Sequence, residues 1–268
     1  MNRAAIEPTN AQEADTRFVY LRDLLFELVV RDLKVRYQSS ALGFAWTLIS
    51  PVMLLMVFYF VFQVIIAIDV PRYASYVFLG ILVFTWFQSS LQQGAYAITA
   101  NSELIMQPGF PATVLPIVTV ATQLIHFMFA LPVLIPFLLM EDSQIGVTAL
   151  SLPILLLVQF ILTLALAYLV AGINVIFRDV GLLLEVVLRL LFFLTPIFYQ
   201  VEMVPESIRP YYLLNPMVEL LQSYRAVLIY GTAPNWSALL IIGLASTLLL
   251  VICYRIFTSI NYRFTEEL

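Results

Sequence analysis

Charge is what this sequence has least of. Only 11% of its 268 residues are Asp, Glu, Lys or Arg, where a soluble domain carries about 25%. No charged residue occurs from Tyr37 to Ile68, from Tyr73 to Ser102, from Leu104 to Met140, from Ser143 to Phe177, or from Ala226 to Tyr254. Lys and Arg (13) are fewer than Asp and Glu (17), which excludes the basic face that nucleic acid requires. The single Cys253 excludes an internal disulfide and a cysteine metal cluster, and its apolar surroundings suggest an inert, membrane-facing thiol. The single His126 has no cysteine or carboxylate at ligand spacing, so it reads as a packing histidine rather than a metal ligand or proton relay. Glycine is scarce, at nine residues without a cluster. No G-x-x-x-x-G-K-[ST] loop is present to cradle ATP phosphates. The first 16 residues are polar and lack the apolar core of a cleavable leader.

What is present is apolar: 62% of residues are hydrophobic, and the mean hydropathy is +0.96. A bilayer core of about 30 Å needs about 20 helical residues. Each charge-free run is long enough, and lipid leaves no partner for unpaired backbone, so the runs predict helices. The alternating segments of about ten residues that mark a transmembrane barrel are missing.

The expected order is a flexible tail at 1–16 and an interfacial amphipathic helix at 17–38. A six-span, all-α membrane domain follows at 39–260, then a tail at 261–268. In the interfacial helix Leu21, Leu24, Leu25, Leu28 and Val29 recur at helical spacing, while Arg22, Asp23, Glu27, Arg31, Lys34 and Arg36 cover much of the rest. Glu27–Arg31 and Asp32–Arg36 are four apart in the favourable order. The spans are expected at 41–68, 74–100, 111–140, 147–177, 182–199 and 237–257, with a more polar segment at 200–236. An even count puts both termini on one side. That side holds Arg3, Arg17, Arg22, Arg31, Lys34, Arg36, Arg178, Arg255 and Arg263, whereas the other holds Arg72, Arg209 and Arg225. The positive-inside rule therefore places both termini in the cytoplasm and 200–236 outside.

Several short strings sit at telling places. Lys34-x-Arg36-Tyr37-x-x-Ser40-x-Leu42-Gly43-x-x-Trp46 turns the interfacial helix into the first span. Asn174-Val175-x-Phe177-Arg178-Asp179 ends the fourth, Thr195-Pro196-Ile197-Phe198-Tyr199 ends the fifth, and Leu214-Asn215-Pro216 lies in the external segment. As an ensemble over about residues 18–265, the chain resembles the membrane subunit of bacterial ABC exporters for lipid-linked polysaccharides, the O-antigen and teichoic-acid class. The resemblance implies a permease of the bacterial cytoplasmic (inner) membrane. It implies a homodimer working with two copies of an ABC ATPase that uses the ATP, so the chain itself is no enzyme and binds no cofactor. Its substrate would be an undecaprenyl-type lipid-linked glycan in membrane lipid. The resemblance also implies short re-entrant gate helices in 200–236 and one coupling element at Asn101–Pro111, which includes Glu103. A second coupling element is implied at Arg178-Asp179, with Glu185 in the stretch running on into the fifth span.

Candidate site residues follow. The second span carries Gln88, Ser89, Ser90, Gln92 and Gln93 interleaved with Trp86, Phe87 and Tyr96. Amides beside aromatic faces suit sugars, so Trp86, Phe87, Gln88, Gln92 and Tyr96, with Tyr59 from the first span, are candidate channel residues; polar helix packing is the alternative. Phe198 and Tyr199 sit at the outer boundary, where an aromatic belt is the default. Glu185 and Arg189 are one turn apart, and a structural ion pair is the alternative to coupling. Arg31, Lys34, Arg36 and Tyr37 are candidates to guide the anionic diphosphate; topology anchoring is the alternative. A teichoic-acid, capsule, drug or lipid exporter of the same fold is the rival reading. A membrane enzyme acting on lipid-linked sugars is the rival from another class, and the membrane region holds few acid or base groups for one.

Overall fold

The computed structural model describes residues 10–38, 45–141, 143 and 146–260, with side chains from Val19 onward except those of 36–38. Within the described residues the chain is helical and has no strand. The first helix, α1 (Asn10–Gln38), begins well before position 17. Ala11, Gln12, Glu13 and Ala14 are good helix formers, so a polar stretch that reads as a tail continues the helix. Residues 1–9 and 261–268, and the Ser40, Leu42 and Gly43 of the first motif, lie outside the described residues. α1 lies along α5 (Val114–Ala130) and buries Leu28 and Val29, leaving Tyr20, Phe26 and Val35 exposed.

The first span is α2 (Ala45–Phe58), continued by a π-helical stretch at Tyr59–Ile65. The second is α3 (Tyr73–Ala95), and the short α4 (Ser102–Ile105) follows it. The third joins α5 to α6 (Leu134–Met140) through a 3-10 turn at Leu131–Val133, where Pro132 has no N–H to continue the α ladder. α7 (Leu152–Ile176) is the fourth. α8 (Asp179–Leu194), α9 (Arg209–Tyr212) and α10 (Pro216–Leu228) precede the last span, α11 (Trp236–Ile260).

Among the described residues, five helices are long and apolar enough to cross a membrane: 45–65, 73–95, 114–140, 147–176 and 236–260. The expected fifth span is the difference. α8 has 16 residues, about 24 Å, which is short of a hydrocarbon core of about 30 Å. Pro196 stops it by holding Thr195 in an extended conformation.

α3 is the axis of the bundle. In its most apolar stretch 78% of residues are buried, against 6% for the first span, which lies at the periphery. Lipid supplies little hydrophobic drive between helices, so close approach and polar ties matter more. A Cβ at Gly94 would stand 3.3 Å from that of Ala167 on α7. Gln159 on α7 donates to the Val83 carbonyl at 3.0 Å, and the Tyr168 hydroxyl donates to Thr113 O at 2.7 Å. α11 packs on α7 through Leu239, Ser246, Cys253 and Phe257, at or near heptad spacing. Cys253 is therefore buried in the protein and does not face lipid. Glu141 caps the start of α3: its two carboxylate oxygens accept from Ala74 N and Ser75 N, both at 3.0 Å. This satisfies orphan donors where the helix dipole favours an anion.

Candidate functional site

Two clefts flank the connection from α3 to α5. The larger, about 620 Å³, is lined by Arg31 and Asp32 of α1, Gln93 of α3, Asn101, Glu103 and Thr122 of α5, among others. The smaller, about 320 Å³, is lined by Tyr96, Thr99, Ser102, Asn174 and Arg178. Ser102 borders both, so the short α4 forms a wall between them. Two stretches far apart in sequence, at 101–103 and 174–178, thus meet at one end of the bundle.

Asn174 fixes that meeting. Its amide donates to Ala95 O at the end of α3, and its carbonyl accepts from Gly181 N in the first turn of α8, both at 2.8 Å. A Cβ at Gly181 would run into the Tyr96 hydroxyl, so a side chain there requires the exposed Tyr96 ring to move. Arg178 and Asp179 stand exposed beside this knot, as does Glu103 on α4. Glu185 does not join them. It pairs with Arg189 at 3.0 Å on the exposed face of α8, together with Leu182, Leu183, Val186 and Leu190.

The basic cluster divides. Arg31 donates to Asp32 at 3.0 Å and to Asn101 at 2.9 Å. Asn101 draws the guanidinium toward α4, and the expected Glu27–Arg31 pair does not appear among the described ion pairs. Arg31 is thus held by Asp32 and Asn101, with its side chain 40% exposed on the larger cleft. Lys34 is exposed, on a shallow cleft with Phe26, Glu27 and Val35. The backbone of Arg36 and Tyr37 belongs to α1; their side chains lie outside the described residues.

The channel candidates also divide. Trp86 and Phe87 are 2% and 3% exposed. Trp86 packs on Phe127 of α5 at 5.4 Å and Phe87 on Phe84 at 5.9 Å. They are core residues, because α3 is surrounded, and they cannot line a lumen in this arrangement. Gln88 and Gln92 are half-buried; Tyr96 and Tyr59 are exposed. Phe198 is not a belt residue either. It is buried, stacked against Phe58 at 5.1 Å and Phe62 at 4.8 Å. Tyr199 is half-buried, with its hydroxyl bonded to that of Tyr212.

The segment after α8 is more embedded than a loop. α10 buries Met217, Val218, Leu220, Leu221, Tyr224 and Arg225. Asn215 caps it by accepting from Met217 N at 3.0 Å. Arg225 reaches Tyr76 and Gly80 on α3, and the Tyr224 ring meets Phe127 at 6.2 Å. Tyr76 to Gly80 lies about 5–10 Å along α3 from its start at Tyr73. Arg225 was legible in the sequence only as an external charge. The signal that marks it is its position on the apolar face of α10, four residues after Leu221 and seven after Val218.

The profile of the ABC-2 type transporter family matches residues 23–229. The chain belongs to the ABC-2 type transporter family. It is 36% identical over 249 residues to the "O-antigen export system permease protein RfbA" of Myxococcus xanthus, covering 92% of this chain and 96% of that one. A protein of the same description from Klebsiella pneumoniae is 30% identical over 250 residues, covering 93% and 96%. The "Polysialic acid transport protein KpsM" of Escherichia coli is 26% identical over 216 residues, covering 76% and 80%. As a member of the ABC-2 type family the chain is a multi-pass membrane protein and a permease, and its family implies an ABC ATPase partner. The matched region includes both clefts, Asn174 and α10.

Proposed function

We propose that this chain is the membrane subunit of an ATP-driven exporter of a lipid-linked, O-antigen-like polysaccharide, located in the bacterial cytoplasmic membrane with both termini inside. The observation that carries this reading is the 30–36% identity to O-antigen export permeases over 92–93% of the chain. Two copies of the permease form the channel and two ATPase subunits drive it. The exposed faces of α2 and α8 are surfaces that a second copy would cover. The ATPase docks on the α4 wall and its two clefts, with Glu103, Arg178 and Asp179 at the contact. Segment 200–236 is the outer gate, and the embedding of α10 supports this. Tyr59, Gln88, Gln92 and Tyr96 remain the channel candidates, and Arg31, Lys34, Arg36 and Tyr37 the diphosphate guides.

The test is ATP hydrolysis by the permease–ATPase complex in proteoliposomes, with and without polymer on a polyprenyl diphosphate. Stimulation by that lipid, and none by free polymer, is expected. An equal response to unrelated lipids or drugs would move the reading to the broader exporter class.

A further inference from the structure

Backbone that is neither helix nor strand is costly at membrane depth unless its carbonyls find donors inside the protein. The turn after α8 is such a stretch. Ile197 N donates to Thr195 O at 2.7 Å. The carbonyls of Ile197, Phe198 and Tyr199 are each taken by a long side chain from another element. Ile197 O accepts from Arg225 Nη2 at 2.9 Å, Phe198 O from the Tyr73 hydroxyl at 3.1 Å, and Tyr199 O from the Tyr76 hydroxyl at 2.9 Å. The tyrosines come from the first turn of α3, and the arginine comes from α10. The same Arg225 nitrogen reaches Tyr76 O at 3.2 Å, and its guanidinium lies 3.3 Å over the Tyr76 ring. Gly80 makes this approach possible: a Cβ there would stand 3.0 Å from Arg225 Nη2 and 3.1 Å from Ile197 Cγ2.

The guanidinium is otherwise poorly served. Arg225 is 2% exposed, and its Nε and Nη1 have no hydrogen-bond partner among the described residues. Among the described ion pairs none includes it. A buried charge held by two carbonyls and a ring lacks the carboxylate or phosphate that would satisfy it best. Such a contact holds three elements together, yet it is easier to release than a paired charge or a packed apolar seam.

We propose that Arg225 is the positioning residue that latches the outer gate shut, by clamping the Thr195–Tyr199 turn between α10 and α3. The latch rests on the reading of 200–236 as that gate. Opening moves α10 away from α3 and breaks the Arg225 bonds to Ile197 O and Tyr76 O together.

The test is passive permeation of a small anionic dye through the permease–ATPase complex in liposomes, without ATP or glycan. Arg225→Gln should raise the leak about tenfold or more, the equilibrium effect of losing one bond from a charged donor. Arg225→Lys, which keeps the charge, should restore part of the seal. Tyr76→Phe keeps the ring and drops the hydroxyl that bonds Tyr199 O, so the leak should rise about fivefold. A merely structural role would lower the yield of complex and leave the assembled fraction tight. If Arg225→Gln does not assemble, Tyr76→Phe and Gly80→Ala carry the same test. Wild-type tightness in every variant that assembles overturns the latch. The cargo reading fails separately: a wild-type complex that moves no lipid-linked glycan, beside an Arg225→Gln complex that leaks, leaves the latch standing and removes the cargo.

Discussion

Replacing Asn174 with alanine removes a side chain that bonds two elements at once. Ala95 O and Gly181 N, both in buried residues, lose partners that stand at 2.8 Å each. A buried group left unpaired costs about 1–3 kcal/mol, so the two together cost at least about 2 kcal/mol, or about thirtyfold in an equilibrium. Asn174→Asp divides the effect. A carboxylate still accepts from Gly181 N but has no donor for Ala95 O and sets an oxygen against it. Two readouts are needed on the purified permease–ATPase complex: the temperature at which it loses its monodisperse gel-filtration peak, and the stimulation of ATP hydrolysis by lipid-linked glycan. Both should fall in Asn174→Ala while basal hydrolysis persists, because Asn174 and Arg178 line one cleft. Asn174→Asp should fall between the alanine variant and wild type in melting temperature. An alanine variant with wild-type melting and full stimulation would refute the idea that this knot joins the two coupling stretches.

Charge reversal at Arg178 or Asp179 should leave insertion intact and abolish export-coupled ATP hydrolysis; unchanged export in both variants rules out the contact. Trp86→Ala should destabilise the permease by about 3–5 kcal/mol, as a large core deletion does, with no change in which glycan is accepted. Tyr59→Ala, on an exposed site, should do the reverse, so a thermal-shift assay beside an export assay separates core from channel. Arg36→Gln should lose substrate stimulation while Arg22→Gln, paired to Asp23 at 2.8 Å in the open, retains it; equal behaviour leaves Arg36 as a topology anchor.

The membrane class and the placement of most helices were legible because charge exclusion over 20 or more residues has few other causes. What failed was facing. The polar and aromatic residues of α3 suggested a wet surface, but period and composition cannot say whether a span is central or peripheral. Trp86 and Phe87 belong to a helix surrounded by α5, α7, α8 and α10, and their neighbours are supplied by tertiary packing alone. The length of α8 was overread for a different reason: apolarity continues through Thr195–Tyr199 while the helix does not, because Pro196 breaks it. Phe198 looked like a belt residue by position, yet the turn carries it inward onto Phe58 and Phe62. The two stretches proposed for coupling, Asn101–Glu103 and Asn174–Asp179, were visible in the sequence because they interrupt apolar runs at helix ends. The hydrogen bond from Asn174 to the Ala95 carbonyl spans 79 residues and leaves no local trace. Arg225 was hidden by the same logic, as one more external charge.

The most direct test of the whole reading is the polysaccharide on the surface of a cell whose own O-antigen export permease has been deleted. Introduced with its partner ATPase, this chain should restore surface polymer and clear the lipid-linked intermediate from the inner leaflet. The same chain introduced without the ATPase should restore nothing. Full-length polymer that stays inside while both proteins are present in the membrane would contradict a role in polysaccharide export.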